Sequence, residues 1–274
     1  MPASALALAL AAAFVHALWN MVLAGARDSQ AATAVALAIG VVLFAPVAAI
    51  TWHVEAAAVP YVLGSSALEV LYFVFLAGAY QSGELGLVYP IARGSAPVIV
   101  LPLSAIALGT GVTPLQVLGV LAIAAGVLLV RGGRGAVPRR DVLMALGVGI
   151  CLAGYTVVDK AGLRHAGPIP YLELVLIAPA IFYFALMARL RGRAALRREL
   201  RPQTALAAVG MPGAFALALA ALRLAPPAPV AAVRETSVVI AALLGALVLN
   251  EPLRRGRLGG SVLIAAGIAA LALA

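Results

Sequence analysis

The residues best able to do chemistry lie in the run VYPIARGSAPVIVLP, positions 88–102. Arg93 stands there among apolar side chains, with Gly94 and Ser95 beside it and Pro90, Pro97 and Pro102 around it. Proline removes a backbone donor and clashes with the preceding turn, so a helix here is expected to be kinked or locally opened. An arginine at membrane depth costs about 2.5–3.5 kcal/mol on insertion scales unless it faces a wet cavity or a partner. A bent helix with a buried cation reads as the wall of a binding site. The competing readings are an arginine that snorkels to the nearer face, or one neutralised by a structural carboxylate.

Other polar residues recur in apolar surroundings. His16, Trp19 and Asn20 share one helix face at i, i+3, i+4. Glu69 is followed on its own face by Tyr72, Phe73, Leu76 and Tyr80, and Tyr89 lies one turn before Arg93. Tyr155, Thr156 and Asp159 share a face next to Lys160, where a plain ion pair at a helix end is expected. Arg234-Glu235-Thr236-Ser237 is a polar quartet inside another apolar run. Guanidinium presents a planar donor fork that suits carboxylate, phosphate or phosphonate, so Arg93 and Arg234 are the candidate anchors for an anionic group. His16, Asn20, Tyr72, Tyr89, Ser95, Tyr155 and Thr236 would complete its hydrogen bonds. Glu69 and Glu235 would either neutralise the arginines or carry a coupling proton. An HExxH-type metal pair is missing, as are convincing Ser/His or paired-aspartate motifs, so neither catalysis nor a metal or other cofactor is expected.

The elements that position these residues follow from composition. Of 274 residues, 64% are hydrophobic and 11% charged, against about 45–50% and about 25% in soluble domains. The chain is therefore an all-α integral membrane protein, since alternating segments of barrel type are not seen. Cys151, the single cysteine, allows no intrachain disulfide. Ten apolar runs of spanning length appear at 3–24, 31–51, 58–80, 86–108, 112–131, 141–162, 169–189, 203–222, 228–249 and 257–274. The net charge of +9 does not indicate nucleic acid, because the arginines cluster in loops. Arg27, then Arg131, Arg134, Arg139 and Arg140, then Arg189 to Arg201, then Arg254, Arg255 and Arg257 all follow odd-numbered spans. The remaining loops hold only Lys160, Arg164 and Arg223. Positive charge marks the cytoplasmic side, so both termini are expected outside the cytoplasm.

The halves also resemble each other. At an offset of 141, Arg93 falls on Arg234, Gly119 on Gly260 and Gly126 on Gly267. Residues 1–131 and 141–274 thus read as two five-helix repeats joined by the basic linker 132–140. An odd number of spans inverts one copy relative to the other, the arrangement of alternating-access transporters. Inversion puts each arginine roughly 4–6 Å from the midplane, on opposite sides. Gly119 and Gly126, seven apart, mark a packing face that would also suit a homodimer contact.

With NEPLRRGRLGGSVLIAAGI near the end and its weaker partner GVTPLQVLGVLAIAAGV, the chain resembles EamA-type members of the drug/metabolite transporter superfamily. The family's acidic-Pro pair matches Glu251-Pro252, but has become Gly111-Val112-Thr113-Pro114 in the first half. The resemblance implies a bacterial inner-membrane carrier of small metabolites, with its cavity between the first, third, fourth, sixth, eighth and ninth helices. YPIARGSAP is also similar to a segment of permeases found beside phosphonate-utilisation genes. The expected function is secondary transport of a small polar metabolite with an anionic group, such as an amino acid, organic acid or phosphonate. Carriage of neutral or cationic compounds with structural Arg/Glu pairs is one alternative; a flippase or lipid-facing envelope protein is another. The partners expected are a small-molecule substrate and the lipid bilayer.

Overall fold

The computed structural model describes residues 1–80, 85–131, 139–248 and 255–274, and among these the chain is helical throughout apart from short connections. The helices are α1 (Ala3–Ala24), α2 (Ser29–Ile50), α3 (Val59–Tyr80), α4 (Leu85–Leu108), α5 (Pro114–Arg131), α6 (Arg139–Gly162), α7 (Pro168–Leu190), α8 (Arg193–Arg198), α9 (Pro202–Leu224), α10 (Pro227–Arg234), α11 (Thr236–Val248) and α12 (Arg255–Leu273). Seven helical segments, in α1–α4, α6, α7 and α9, are long and apolar enough to cross a membrane, and shorter apolar helices cover Pro114–Leu129 and Gly259–Leu271.

Local chemistry sets the ends. Asp28 caps α2 by accepting from the backbone N–H groups of Gln30 and Ala31, both at 3.1 Å. Thr113 and Gln116 form a reciprocal capping box on α5, at 3.1 and 3.2 Å. Thus Thr113-Pro114, the altered half of the repeated acidic-Pro motif, still starts a helix; Glu251-Pro252 lies outside the described residues. Proline occupies the opening positions of α7, α9 and α10, where its missing N–H is no loss.

Two sequence expectations need correction. The expected ninth span, 228–249, is not one helix: it breaks at Glu235 between α10 and α11. There the turn tightens, with Glu235 N donating to Ala232 O at 3.1 Å and Val238 N to Glu235 O at 3.0 Å. Thr236 Oγ1 also donates to Val233 O at 2.8 Å, drawing that carbonyl away from the helical ladder. The three prolines of α4 predicted a kink or a local opening there; the helix does not open, and α4 runs unbroken over Leu85–Leu108. The second correction is α8, a short helix inside the basic 189–201 connection, where the sequence predicts only a loop.

α1 packs on α9 and α3 on α6; α2 lies against both α7 and α9, and α7 also contacts α3. α4 crosses α6, α1 touches both α10 and α11, and α5 runs along α12. The α5–α12 crossing is close because both sides are glycine. A Cβ on Gly119 would come within 2.9 Å of Gly267 O, and one on Gly126 within 2.7 Å of Gly260 O. The Gly119–Gly126 face is therefore filled from within the chain. Polarity is distributed as a bilayer requires. Val42, Ile50, Leu63, Leu143, Ile181 and Val262 are exposed, while Glu69, Arg93, Asp159 and Glu235 are buried.

Candidate functional site

The buried polar residues converge on a cavity of about 120 Å³ walled by α1, α2, α3, α4, α6, α7, α9 and the end of α10. A single water needs about 10–15 Å³ by this measure, so the space takes several waters or a small solute. His16, Asn20, Glu69, Tyr72, Arg93, Tyr155 and Arg234 all line it. Seven residues chosen from sequence on five different helices thus meet at one place. Trp19 joins them, its ring edge-on to His16 at 4.9 Å. Aromatic rings form part of the wall: Tyr72 lies 6.4 Å from Tyr155, which lies 6.0 Å from Phe215.

Arg93 is pinned inside this cavity. Its Nη2 donates to His16 Nε2 at 2.6 Å, and Nη1 lies 3.5 Å from Glu235 Oε1. A guanidinium has only donors, so His16 accepts at Nε2 and carries its proton on Nδ1. Asn20 Nδ2 donates to the His16 carbonyl at 2.8 Å, one turn further along α1. Glu235 is buried, and its second oxygen has no hydrogen-bond partner among the described residues. Its backbone position, at the break between α10 and α11, is what lets it reach across to α4.

Arg234 differs. It is half-buried at the last position of α10, lines the cavity, and makes no hydrogen bond or ion pair among the described residues. Glu69 on α3 also lines the cavity and likewise has neither. One cation and one carboxyl therefore face the same small space without being bonded to each other.

Asp159 on α6 is fully buried. It accepts from Ser65 Oγ at 2.6 Å and Tyr171 OH at 3.0 Å, both on Oδ1. The ion pair expected between Asp159 and Lys160 does not form. Neighbours in sequence point to different sides of a helix, and Lys160 Nζ instead donates to Leu222 O at 2.6 Å. Ser65 precedes Glu69 by one turn of α3, so the Asp159 cluster borders the cavity wall.

The remaining sequence candidates lie elsewhere. Ser95 and Thr236 do not line the cavity; their hydroxyls donate to the carbonyls three residues back, Ala92 O at 3.1 Å and Val233 O at 2.8 Å. The Tyr89 side chain falls outside the described residues. Sequence reasoning missed Phe215, Met211 and Leu37, which complete the wall. Nothing in an apolar run marks one such residue over its neighbours. Among the described residues no group of three or more His, Cys, Asp or Glu side chains could hold a metal ion.

The model of the EamA-like transporter family matches residues 3–132 and again 139–273. The chain belongs to that family. This EamA-type chain is thus a multi-pass membrane protein of the drug/metabolite transporter kind. A solved crystal structure, described only as that of a protein, superposes with a TM-score of 0.75 over 98% of this chain and 95% of its own. At 19% identity that likeness shows a shared fold alone. No curated protein matches the chain.

Proposed function

We propose that this protein is a secondary transporter of a small metabolite carrying an anionic group, amino-acid-like in charge, and that Arg234 receives that group. The observation that carries the reading is an Arg234 guanidinium that makes no hydrogen bond or ion pair among the described residues, in a cavity that also presents Glu69. A carboxylate, phosphate or phosphonate would take two parallel donors from Arg234. An ammonium on the same solute would meet Glu69. Tyr72, Tyr155, Phe215 and Trp19 would cover its apolar part. Organic acids and phosphonates would use only the cationic side.

Alternating access would come from two inverted five-helix repeats, 1–131 and 141–274, rocking about this cavity. Support for the repeat comes from pairs that exchange under the offset of 141. Gly119 meets Gly267 and Gly126 meets Gly260, and each contact maps onto the other when the halves are swapped. Likewise α1 on α9 maps onto α6 on α3, and Ser95 bonding Ala92 O onto Thr236 bonding Val233 O. On this reading the ninth span is α10 and α11 together, the basic connections face the cytoplasm, and both termini lie outside it in a bacterial inner membrane.

A second reading makes the substrate neutral or cationic. It is favoured by the Arg93–Glu235 pair, which together with His16 gives Arg93 a structural setting. Thermal stabilisation of the purified protein by small anions, zwitterions and cations separates the two, since a ligand of the folded state raises apparent stability. Zwitterions and anions should raise Tm and show counterflow in proteoliposomes. A response confined to cations would overturn the proposal.

A further inference from the structure

We propose a second site: a groove between α2, the end of α7 and α8 that holds the headgroup of an anionic phospholipid. Arg189, Arg193 and Arg197, spaced four residues apart, line this open groove of about 580 Å³ together with Phe184, Leu200 and Val35. No acidic side chain lines it. The three guanidinium groups are exposed and make no hydrogen bond or ion pair among the described residues. Phe184 and Leu200 are also exposed, at 40% and 63%. Cations at one end and bare apolar surface beside them match a phosphate with its acyl chains. α8 connects α7 and α9, two helices long enough to span a membrane, so the groove lies at a membrane face.

The neighbouring arginine shows that this arrangement is selective. Arg191 is already engaged: its Nε lies 3.3 Å from Asp28 Oδ2, and Nη2 donates to Gln30 Oε1 at 3.3 Å. Glu199, just past α8, accepts from Asp28 N at 3.1 Å. Acidic partners are thus present at this membrane face, yet they serve Arg191 and the start of α2 and leave the groove's arginines free. These bonds also tie α8 to α2, whose Val35 lines the groove and whose Thr33 and Leu37 line the central cavity. A lipid seated here would brace α2 where it borders the cavity. This site does not depend on the proposed substrate: it would bind lipid in a chain that transports anything or nothing.

Juxtamembrane basic residues contribute about 1 kcal/mol each toward anionic lipid, so three give a preference of order a hundredfold. The test is native mass spectrometry of the full chain released from detergent with equal phosphatidylglycerol and phosphatidylcholine. Phosphatidylglycerol should be retained with at least about tenfold preference. The preference should vanish in an Arg189→Gln/Arg193→Gln/Arg197→Gln variant and survive in Arg198→Gln, on the same helix but off the groove. Should the triple variant not fold, single Arg193→Gln and Arg197→Gln variants on the short exposed helix should each weaken the preference severalfold. Equal retention of both lipids, an undiminished preference in the Arg→Gln variants, or displacement of lipid by inorganic phosphate at matched concentration would each overturn the proposal. The last result would make the groove a free-anion site.

Discussion

Arg93 falls on Arg234 at the offset of 141 that relates the proposed repeats, and the two arginines have opposite surroundings. Arg93 sits within a continuous helix, bonded to His16 and facing Glu235. Arg234 sits at a helix break, half-buried and unbonded among the described residues. The cause can be read from the offset of 141. The positions that would serve Arg234 as His16 and Glu235 serve Arg93 are Val157 and Gly94, neither of which can accept a hydrogen bond from its side chain. On the proposed repeat the cation keeps its place in both copies, while among the described residues its partners stand beside only one. The paired copy is suited to holding the helices together, the unpaired copy to meeting a solute.

The comparison can be broken at several points. The largest effect is expected from Glu235→Ala. Removing one member of a buried ion pair typically costs about 3–5 kcal/mol, so the variant should unfold at clearly lower temperature in detergent. Unchanged thermal stability would show that the Arg93–Glu235 contact holds nothing. Arg234→Gln should instead leave stability near wild type and remove a charge-assisted bond to ligand, worth about 1.5–3 kcal/mol, or roughly a 10- to 100-fold loss of affinity for a stabilising anion by titration calorimetry.

The smallest effects belong to Ser95→Ala and Thr236→Ala. Both hydroxyls bond a carbonyl only three residues back and neither lines the cavity, so each change should alter stability by less than about 1 kcal/mol and leave ligand affinity alone.

Much of the architecture is written in hydrophobic runs, because a bilayer forces each span to be long, apolar and helical. The apolar run 3–24 coincides with α1, and 86–108 differs from α4 by one residue at its start. The cavity residues were legible for a related reason: a polar side chain in such a run has few places to go except inward. Legibility fails where the choice is made by tertiary contacts. Ser95 and Thr236 satisfy themselves on the carbonyl three residues back, a solution always open to hydroxyls. Asp159 finds Ser65, 94 positions away in sequence, rather than its neighbour Lys160. α4 stays continuous through its three prolines while the matching stretch opens at Glu235, downstream of Pro227 and Pro229, so proline content does not mark which helix breaks. Phe215 and Met211 carry no mark distinguishing them from the lipid-facing Leu206 and Val209 on the same helix.

The central claim is that one arginine reads the solute while the other holds the fold. It is tested most directly by following thermal unfolding of wild type, Arg93→Gln and Arg234→Gln, each with and without a stabilising anion or zwitterion. The account predicts a split. Arg93→Gln should lower the ligand-free Tm and keep most of the ligand-induced rise. Arg234→Gln should keep the ligand-free Tm and abolish the rise. Equal behaviour of the two variants, or the reverse assignment, would contradict it.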